Sequence, residues 1–293
     1  RGFPLYGHDT AMPPFAPQVA RPIKVAVLGG GMIARLVLEQ ARGGKLPGTE
    51  IVALLGRQSA SRTEVLARQF GVPYVLDRRA LMAHAPQAVL EAASHDAVRE
   101  HLVPLLRAGV SVIVLSAGAL ADQALTEAAQ AAAKAGGARL LVPSGGIGGL
   151  DALNAACVAG VDEVSIQVAK PPAAWKGIAY VERLAIDLDR LAAPYVLFDG
   201  AARDGVPHFP QNVNIAAVLS LGGIGMERTR LRVVADPALS VNTHTIRVAG
   251  RTGRFTVVLE NVPTPDNPKT SWLACCSAVD ALRSLAATTR YGS

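Results

Sequence analysis

Ile23-Lys24-Val25-Ala26-Val27-Leu28 runs directly into Gly29-Gly30-Gly31-Met32-Ile33-Ala34. The first six residues are mostly apolar and partly β-branched, which reads as a buried parallel strand. Residues 32–41 then lack proline and glycine, and Ile33, Leu36, Val37 and Gln40 fall along one helical side. A strand, a G-x-G-x-x-A turn and a helix in this order predict a dinucleotide-binding unit. Gly29 permits the tight turn, and Gly31 lets a pyrophosphate approach the backbone. Ala34 keeps helix and strand close, while the N–H groups at Met32 and Ile33 lie at the positive end of the helix dipole.

Working outward, strands are expected at 50–55, 72–75, 88–92, 110–115 and 138–142. They alternate with helices at 61–70, 79–83, 96–108 and 122–135. Strands alternating with helices through short connections make a Rossmann-type doubly wound parallel sheet. The rhythm changes after Pro143. Residues 161–169, 180–188, 196–199, 230–235, 243–249 and 254–261 read as strands, with helices at 150–159 and 214–221. The fold class expected is therefore α/β, with a second α+β domain built on a mixed open sheet. Residues 21–143 form the dinucleotide domain, and 144–265 the substrate domain. A last helix at 271–287, after a turn at 266–268, is expected to pack back on the first domain within the segment 266–293. Residues 1–20 are expected to be a disordered tail in which Met12 has the position of a natural start.

Composition narrows the function classes. Half of the 293 residues are apolar and 18% are charged, enough for sizeable cores and too apolar for a disordered chain. Lysines and arginines exceed acids by 29 to 23, a net +6. The basic residues are scattered, with no aromatic-interleaved run or stripe, so nucleic acid is not an expected partner. An anionic small molecule accounts for the sign. Three cysteines, Cys157, Cys275 and Cys276, make neither a disulfide framework nor a metal knuckle, and a cytoplasmic setting is expected. No apolar run has the length for a transmembrane helix, and no metal is expected.

The end of the second strand should read the ribose. It carries Leu55-Gly56-Arg57-Gln58, with no acid to accept from a 2′-hydroxyl. Arg57 suits a 2′-phosphate equally with an ordinary solvated role, so the cofactor expected is NAD or NADP. Among the histidines, His95 follows the fourth strand, at the carboxyl edge where ligands bind, while His101 is expected on a partly exposed helix face. His244 stands out on spacing. Residues 242, 244 and 246 share one strand face, so Asn242 and His244 point together. Asn212 and Asn214 flank a helix start, where one is expected to cap the helix.

Five blocks carry a wider resemblance. They are Ser116-Ala117-Gly118-Ala119-Leu120, Pro143-Ser144-Gly145-Gly146-Ile147-Gly148-Gly149, Phe209-Pro210-Gln211-Asn212-Val213-Asn214-Ile215-Ala216-Ala217, Ala235-Asp236-Pro237 with Asn242-Thr243-His244, and Asn267-Pro268-Lys269-Thr270-Ser271. Together they resemble the L-aspartate dehydrogenase family from about Lys24 to the last helix. The resemblance implies oxidative deamination of L-aspartate with NAD or NADP, through iminosuccinate to oxaloacetate and ammonia. It also implies that iminoaspartate can feed NAD biosynthesis. The family's catalytic histidine falls on His244, for which the shared strand face makes Asn242 a candidate orienter, and the cofactor-associated asparagine falls on Asn214. A cofactor-contacting alanine of the family falls on Gly146, a departure. Two substrate carboxylates need donors, for which Lys269, Lys170, Asn212 and Ser144 are candidates. A homodimer paired through the open sheet is expected.

Competing readings are weaker. Sugar and inositol oxidoreductases place Glu-Lys-Pro after the fifth strand, whereas this chain has Leu115-Ser116-Ala117-Gly118. A semialdehyde dehydrogenase needs a nucleophilic cysteine in a polar turn, and Cys157 lies within an apolar helix. A non-catalytic NAD(P)-binding regulator, or an oxidoreductase for a related amino or imino acid, are the alternatives.

Overall fold

The computed structural model describes residues 21–209, 213–264 and 267–291. The quoted stretch forms β1 (Ile23–Leu28) and α1 (Met32–Arg42), followed by β2 (Thr49–Leu55), α2 (Arg62–Phe70), β3 (Tyr74–Val75) and α3 (Arg78–Ala83). Next come β4 (Ala88–Glu91), α4 (His95–Arg107), β5 (Ser111–Val114), a 3-10 turn at Ala117–Ala121, α5 (Gln123–Gly136) and β6 (Leu140–Leu141). The six strands form one parallel sheet in the order β3-β2-β1-β4-β5-β6, the doubly wound order that reverses beside β1. Apolar layers cover both faces, one including Val27, Leu54 and Leu90, the other Ala26, Val89 and Val112.

The second half begins with α6 (Leu150–Ala159) and β7 (Val161–Lys170), then α7 (Ala179–Arg183), β8 (Tyr195–Ala201), α8 (Ala202–Gly205) and α9 (Asn214–Leu221). Then follow β9 (Thr229–Ala235), β10 (Asn242–Gly250), β11 (Gly253–Asn261), the short pair β12 (Pro263–Thr264) and β13 (Asn267–Ser271), and α10 (Trp272–Ala286). Strands order as β11-β10-β7-β9-β8, mixed, with β7 and β9 parallel and the other pairs antiparallel. One face packs on α6 and α9 through Ile166, Val168, Leu231 and Ile246. Helix α10 returns to the first sheet, where Ala278, Val279 and Leu282 join the layer under α1.

Three local expectations change. Residues 180–188 are not a strand. Tyr180 and Val181 lie in α7, and Val181 and Leu184 turn inward at a spacing of three, a helical period that a short apolar run hides. Part of the turn expected at 266–268 is instead the start of β13, and Ser271 caps α10 by accepting from the Ala274 N–H at 3.3 Å. His101 is buried rather than surface-exposed, because it lies on the side of α4 that faces the sheet with Leu102 and Leu105. Among the described residues, no helix is long and apolar enough to cross a membrane. Nor does any group of three or more His, Cys, Asp or Glu among them converge to hold a metal.

Candidate active site

The glycine turn has the form a dinucleotide requires. Gly29 has φ +97°, and a Cβ there would meet the Ala92 carbonyl at 2.7 Å, so only glycine fits. Around a Cβ at Gly31, by contrast, nothing lies within 4 Å. Gly31 caps α1 without a side-chain bond, leaving the first-turn N–H groups facing that open side. Ala34 is fully buried against the sheet. These residues fit the phosphates of a nicotinamide dinucleotide. Arg57 stands exposed just beyond β2. Its loop is pinned by Tyr74, whose hydroxyl donates to the Gln58 carbonyl at 2.6 Å and lies 3.0 Å from Ser61 Oγ.

Asn214 does not cap its helix. It is the first residue of α9, after Val213, and its side chain reaches the other half of the molecule. Its Oδ1 accepts from the Gly118 N–H at 3.1 Å and meets His95 Nε2 at 2.9 Å. A backbone N–H can only donate, so Oδ1 is the acceptor and His95 must carry its proton on Nε2. Among the described residues, no hydrogen bond is made by the amide nitrogen of Asn214.

Behind β6, the loop at 143–149 links this cluster to His244. A Cβ on Gly145 would touch Ile215 of α9 at 3.7 Å, and the next residue presents its carbonyl to the imidazole. His244 Nδ1 lies 3.1 Å from the Gly146 oxygen, which also accepts from Asn261 Nδ2 at 2.8 Å. Facing a carbonyl, Nδ1 is assigned the proton, and the lone pair falls on Nε2. Nε2 is buried with no hydrogen-bond partner among the described residues. Burial holds the imidazole pKa down to about 4, with Lys170 pressing in the same direction and the Gly146 carbonyl opposing. The ring is therefore a neutral base at ordinary pH. Lys170, at the end of β7, is itself buried, with its ammonium 5.3 Å from the Trp175 ring centre.

The asparagine beside the imidazole is Asn261 rather than the expected Asn242. Its Nδ2 lies 3.0 Å from Nδ1, and with Nδ1 protonated the two N–H groups do not bond each other but both donate to the Gly146 carbonyl. No hydrogen bond joins Asn242 to His244 among the described residues. Residues two apart on a strand are about 6–7 Å apart along it. The β10–β11 register pairs His244 with Leu259, which makes Asn261 its diagonal neighbour. Asn261 had a sequence signal, since it continues the inward row Phe255, Val257, Leu259 as a polar residue. So did Glu91, an acid closing the buried strand β4. Burial pushes its carboxyl above the usual range, against the pull of its hydrogen-bond donors.

The Gly146 departure leaves the anchor intact, because the contact to His244 is made by backbone. A Cβ at Gly146 would lie 3.7 Å from His244 Cε1 and 3.1 Å from Ser271 Oγ. Ser144 is half-buried in the same loop. Asn212 and the side chain of Lys269 lie outside the described residues.

Comparison with known proteins finds matches to both halves of the chain. A family model for the C-terminal region of aspartate dehydrogenase matches residues 151–285. A second, for the NAD-binding domain of homoserine dehydrogenase, matches residues 29–143. The chain is 39% identical to an L-aspartate dehydrogenase of Methanosarcina acetivorans over 263 residues, covering 90% of this chain and 97% of that protein. It is 49% identical to L-aspartate dehydrogenase 2 of Bordetella bronchiseptica over 205 residues, 69% of this chain and 75% of that one. The crystal structure of aspartate dehydrogenase from Thermotoga maritima superposes with a TM-score of 0.73 at 28% identity, covering 92% of this chain and 99% of the other. The chain belongs to the L-aspartate dehydrogenase family of amino acid dehydrogenases.

Proposed function

We propose that this enzyme oxidatively deaminates L-aspartate with NAD or NADP, reversibly, with His244 as the acid–base group. The observation that carries this reading is the neutral, buried His244 whose Nε2 has no partner among the described residues. Residues 21–143 serve as the dinucleotide unit and 144–265 as the substrate unit, with 266–293 returning to the first.

Gly29, Gly31, Met32 and Ile33 would hold the pyrophosphate, Arg57 would meet the adenosine ribose, and Asn214 and Gly146 would border the nicotinamide. The bound cofactor supplies the acceptor for the hydride that leaves the aspartate α-carbon. Iminosuccinate results, and water then adds to its C=N carbon. His244 Nε2 takes a proton from that water and returns one to the departing nitrogen, giving oxaloacetate and ammonia. Lys170, Lys269, Asn212 and Ser144 supply cations and donors for the two carboxylates. Those carboxylates oppose the charge of Lys170 and raise the imidazole pKa toward the working range. Asn242 shares the buried strand face with His244 and shapes its surroundings. A cytoplasmic homodimer, formed through the open face of the second sheet, and a supply of iminoaspartate to NAD biosynthesis complete the proposal.

The test is formation of NADH and NADPH with L-aspartate at mildly alkaline pH, wild type beside His244→Ala. Loss of about 10²–10⁴-fold in kcat with cofactor affinity kept supports the reading. Equal turnover in both proteins, or none with L-aspartate or with oxaloacetate and ammonia, overturns it.

A further inference from the structure

Glu91 is 1% exposed and ends β4, and among the described residues its carboxyl bonds Ala93, Ser94 and Ser116, none of them assigned above to cofactor or substrate. Its carboxylate gathers four donors. Oε1 accepts from the N–H groups of Ala93 at 2.8 Å and Ser94 at 3.0 Å, and from the Ser116 hydroxyl at 2.9 Å. Oε2 accepts from the Ser116 N–H at 2.9 Å. These donors belong to two loops, one after β4 and one after β5. A hydrophobic replacement of the same size would take the shared acceptor from all four, in a partly buried place.

What the two loops present is specific. His95 directly follows Ser94, and Gly118 stands two residues beyond Ser116. Both converge on one atom, Asn214 Oδ1, from the opposite half of the molecule. Two donors on the oxygen fix the amide plane and turn its N–H₂ the other way. Rotation of that amide would set Nδ2 against two donors.

We propose that Glu91 is a positioning residue for the nicotinamide end of the cofactor, holding the His95 and Gly118 loops so that the Asn214 N–H₂ faces the carboxamide. This rests on the reading that the chain binds NAD or NADP. Glu91→Gln keeps the shape but turns an N–H₂ toward donors, so at least one loop must move.

The test compares NAD⁺ with ADP-ribose, which lacks the nicotinamide, by direct binding titration on the full chain. NADP⁺ and 2′-phospho-ADP-ribose are used if NADP⁺ binds more tightly. In Glu91→Gln, NAD⁺ affinity should fall about tenfold or more while ADP-ribose stays within about twofold. Ser116→Ala, which removes a single hydroxyl donor, should give the same pattern at about threefold and keeps the test alive if Glu91→Gln does not fold. In an Asn214→Ala background, the Glu91→Gln step on NAD⁺ should shrink to less than about twofold, because the two act in series. Equal losses for NAD⁺ and ADP-ribose, no loss for either, or full additivity with Asn214→Ala would overturn the proposal. A wild-type protein that binds ADP-ribose but neither NAD⁺ nor NADP⁺ would overturn the cofactor reading instead.

Discussion

Asn261 Nδ2 stands 3.0 Å from His244 Nδ1, and both nitrogens face the carbonyl of Gly146, at 2.8 and 3.1 Å. The orientation of the proposed base is thus set by the Gly146 carbonyl, which accepts from Nδ1–H, and Asn261 of β11 acts on the imidazole through its own hydrogen bond to that carbonyl. Neither contact involves the residue two positions away on the same strand. Asn261→Ala should therefore lower kcat about 10–100-fold with little change in cofactor affinity, as removal of an outer-shell orienting partner does elsewhere. Asn242→Ala should cost less. Steady-state kinetics on the two variants decides, and a larger loss from Asn242→Ala would reassign the orienter.

His244 also links stability to pH. Its folded pKa of about 4 lies below the unfolded value near 6.5, so the unfolded chain takes up the proton first as pH falls. The contribution is fully present above about pH 6.5 and is lost as pH falls through about 4, on the order of 3 kcal/mol in all. Buried His101 shifts in the same direction and adds to the wild-type slope. Urea unfolding of wild type and His244→Gln at pH 7.5 and 4.5 should show the gap between them change by about that amount. Parallel losses in both proteins would contradict a neutral, buried imidazole.

Gly146 holds His244 by its carbonyl, and its φ lies outside the left-handed region. Alanine there needs only a small shift of Ser271 Oγ, 3.1 Å from the new methyl. Gly146→Ala should keep kcat within about threefold and lower Tm by roughly 2–4 °C. Ser271→Ala, which removes the N-cap of α10, should cost less stability in the Gly146→Ala background than in the wild type. Abolished turnover with cofactor still bound would show that the methyl position, rather than the carbonyl, governs the pocket.

Arg57 is the charged side chain just past β2, and no acid stands beside it in Gly56-Arg57-Gln58. A hydrogen bond to a phosphate is worth about 1.5–3 kcal/mol, and exposure places Arg57 at the lower end. Arg57→Ala should raise the KM for NADP⁺ about tenfold and leave that for NAD⁺ nearly unchanged. A uniform shift in both constants would remove Arg57 from the nucleotide site.

Much of the first sheet was legible along the chain. Parallel strands buried on both faces are continuous apolar runs, and the glycine turn at 29–31 is a local steric requirement, so β1, α1 and their alternating successors declare themselves over a few residues at a time. The face of His244 was legible for the same reason, since a strand alternates with period two. The proposal of Asn214 and His244 as site residues came from resemblance to a family, carried by blocks spread over the chain. Residues 180–188 were misread because a short apolar stretch fits either period, and packing of Val181 and Leu184 against the core selects the helix.

The contacts that make a site were decided by tertiary structure. Gly146 and His244 are 98 positions apart, Gly146 and Asn261 115, and His95 and Asn214 119. Periodicity tells which way a side chain points along its own strand, but the register between strands and the docking of the two sheets set what it meets. Hydrogen bonds act over about 3 Å. Periodicity along the chain marks the residues that line the inward faces, whereas long-range docking places the Gly146 carbonyl against both His244 and Asn261, His95 and Gly118 against Asn214, and Glu91 between the loops that carry those two.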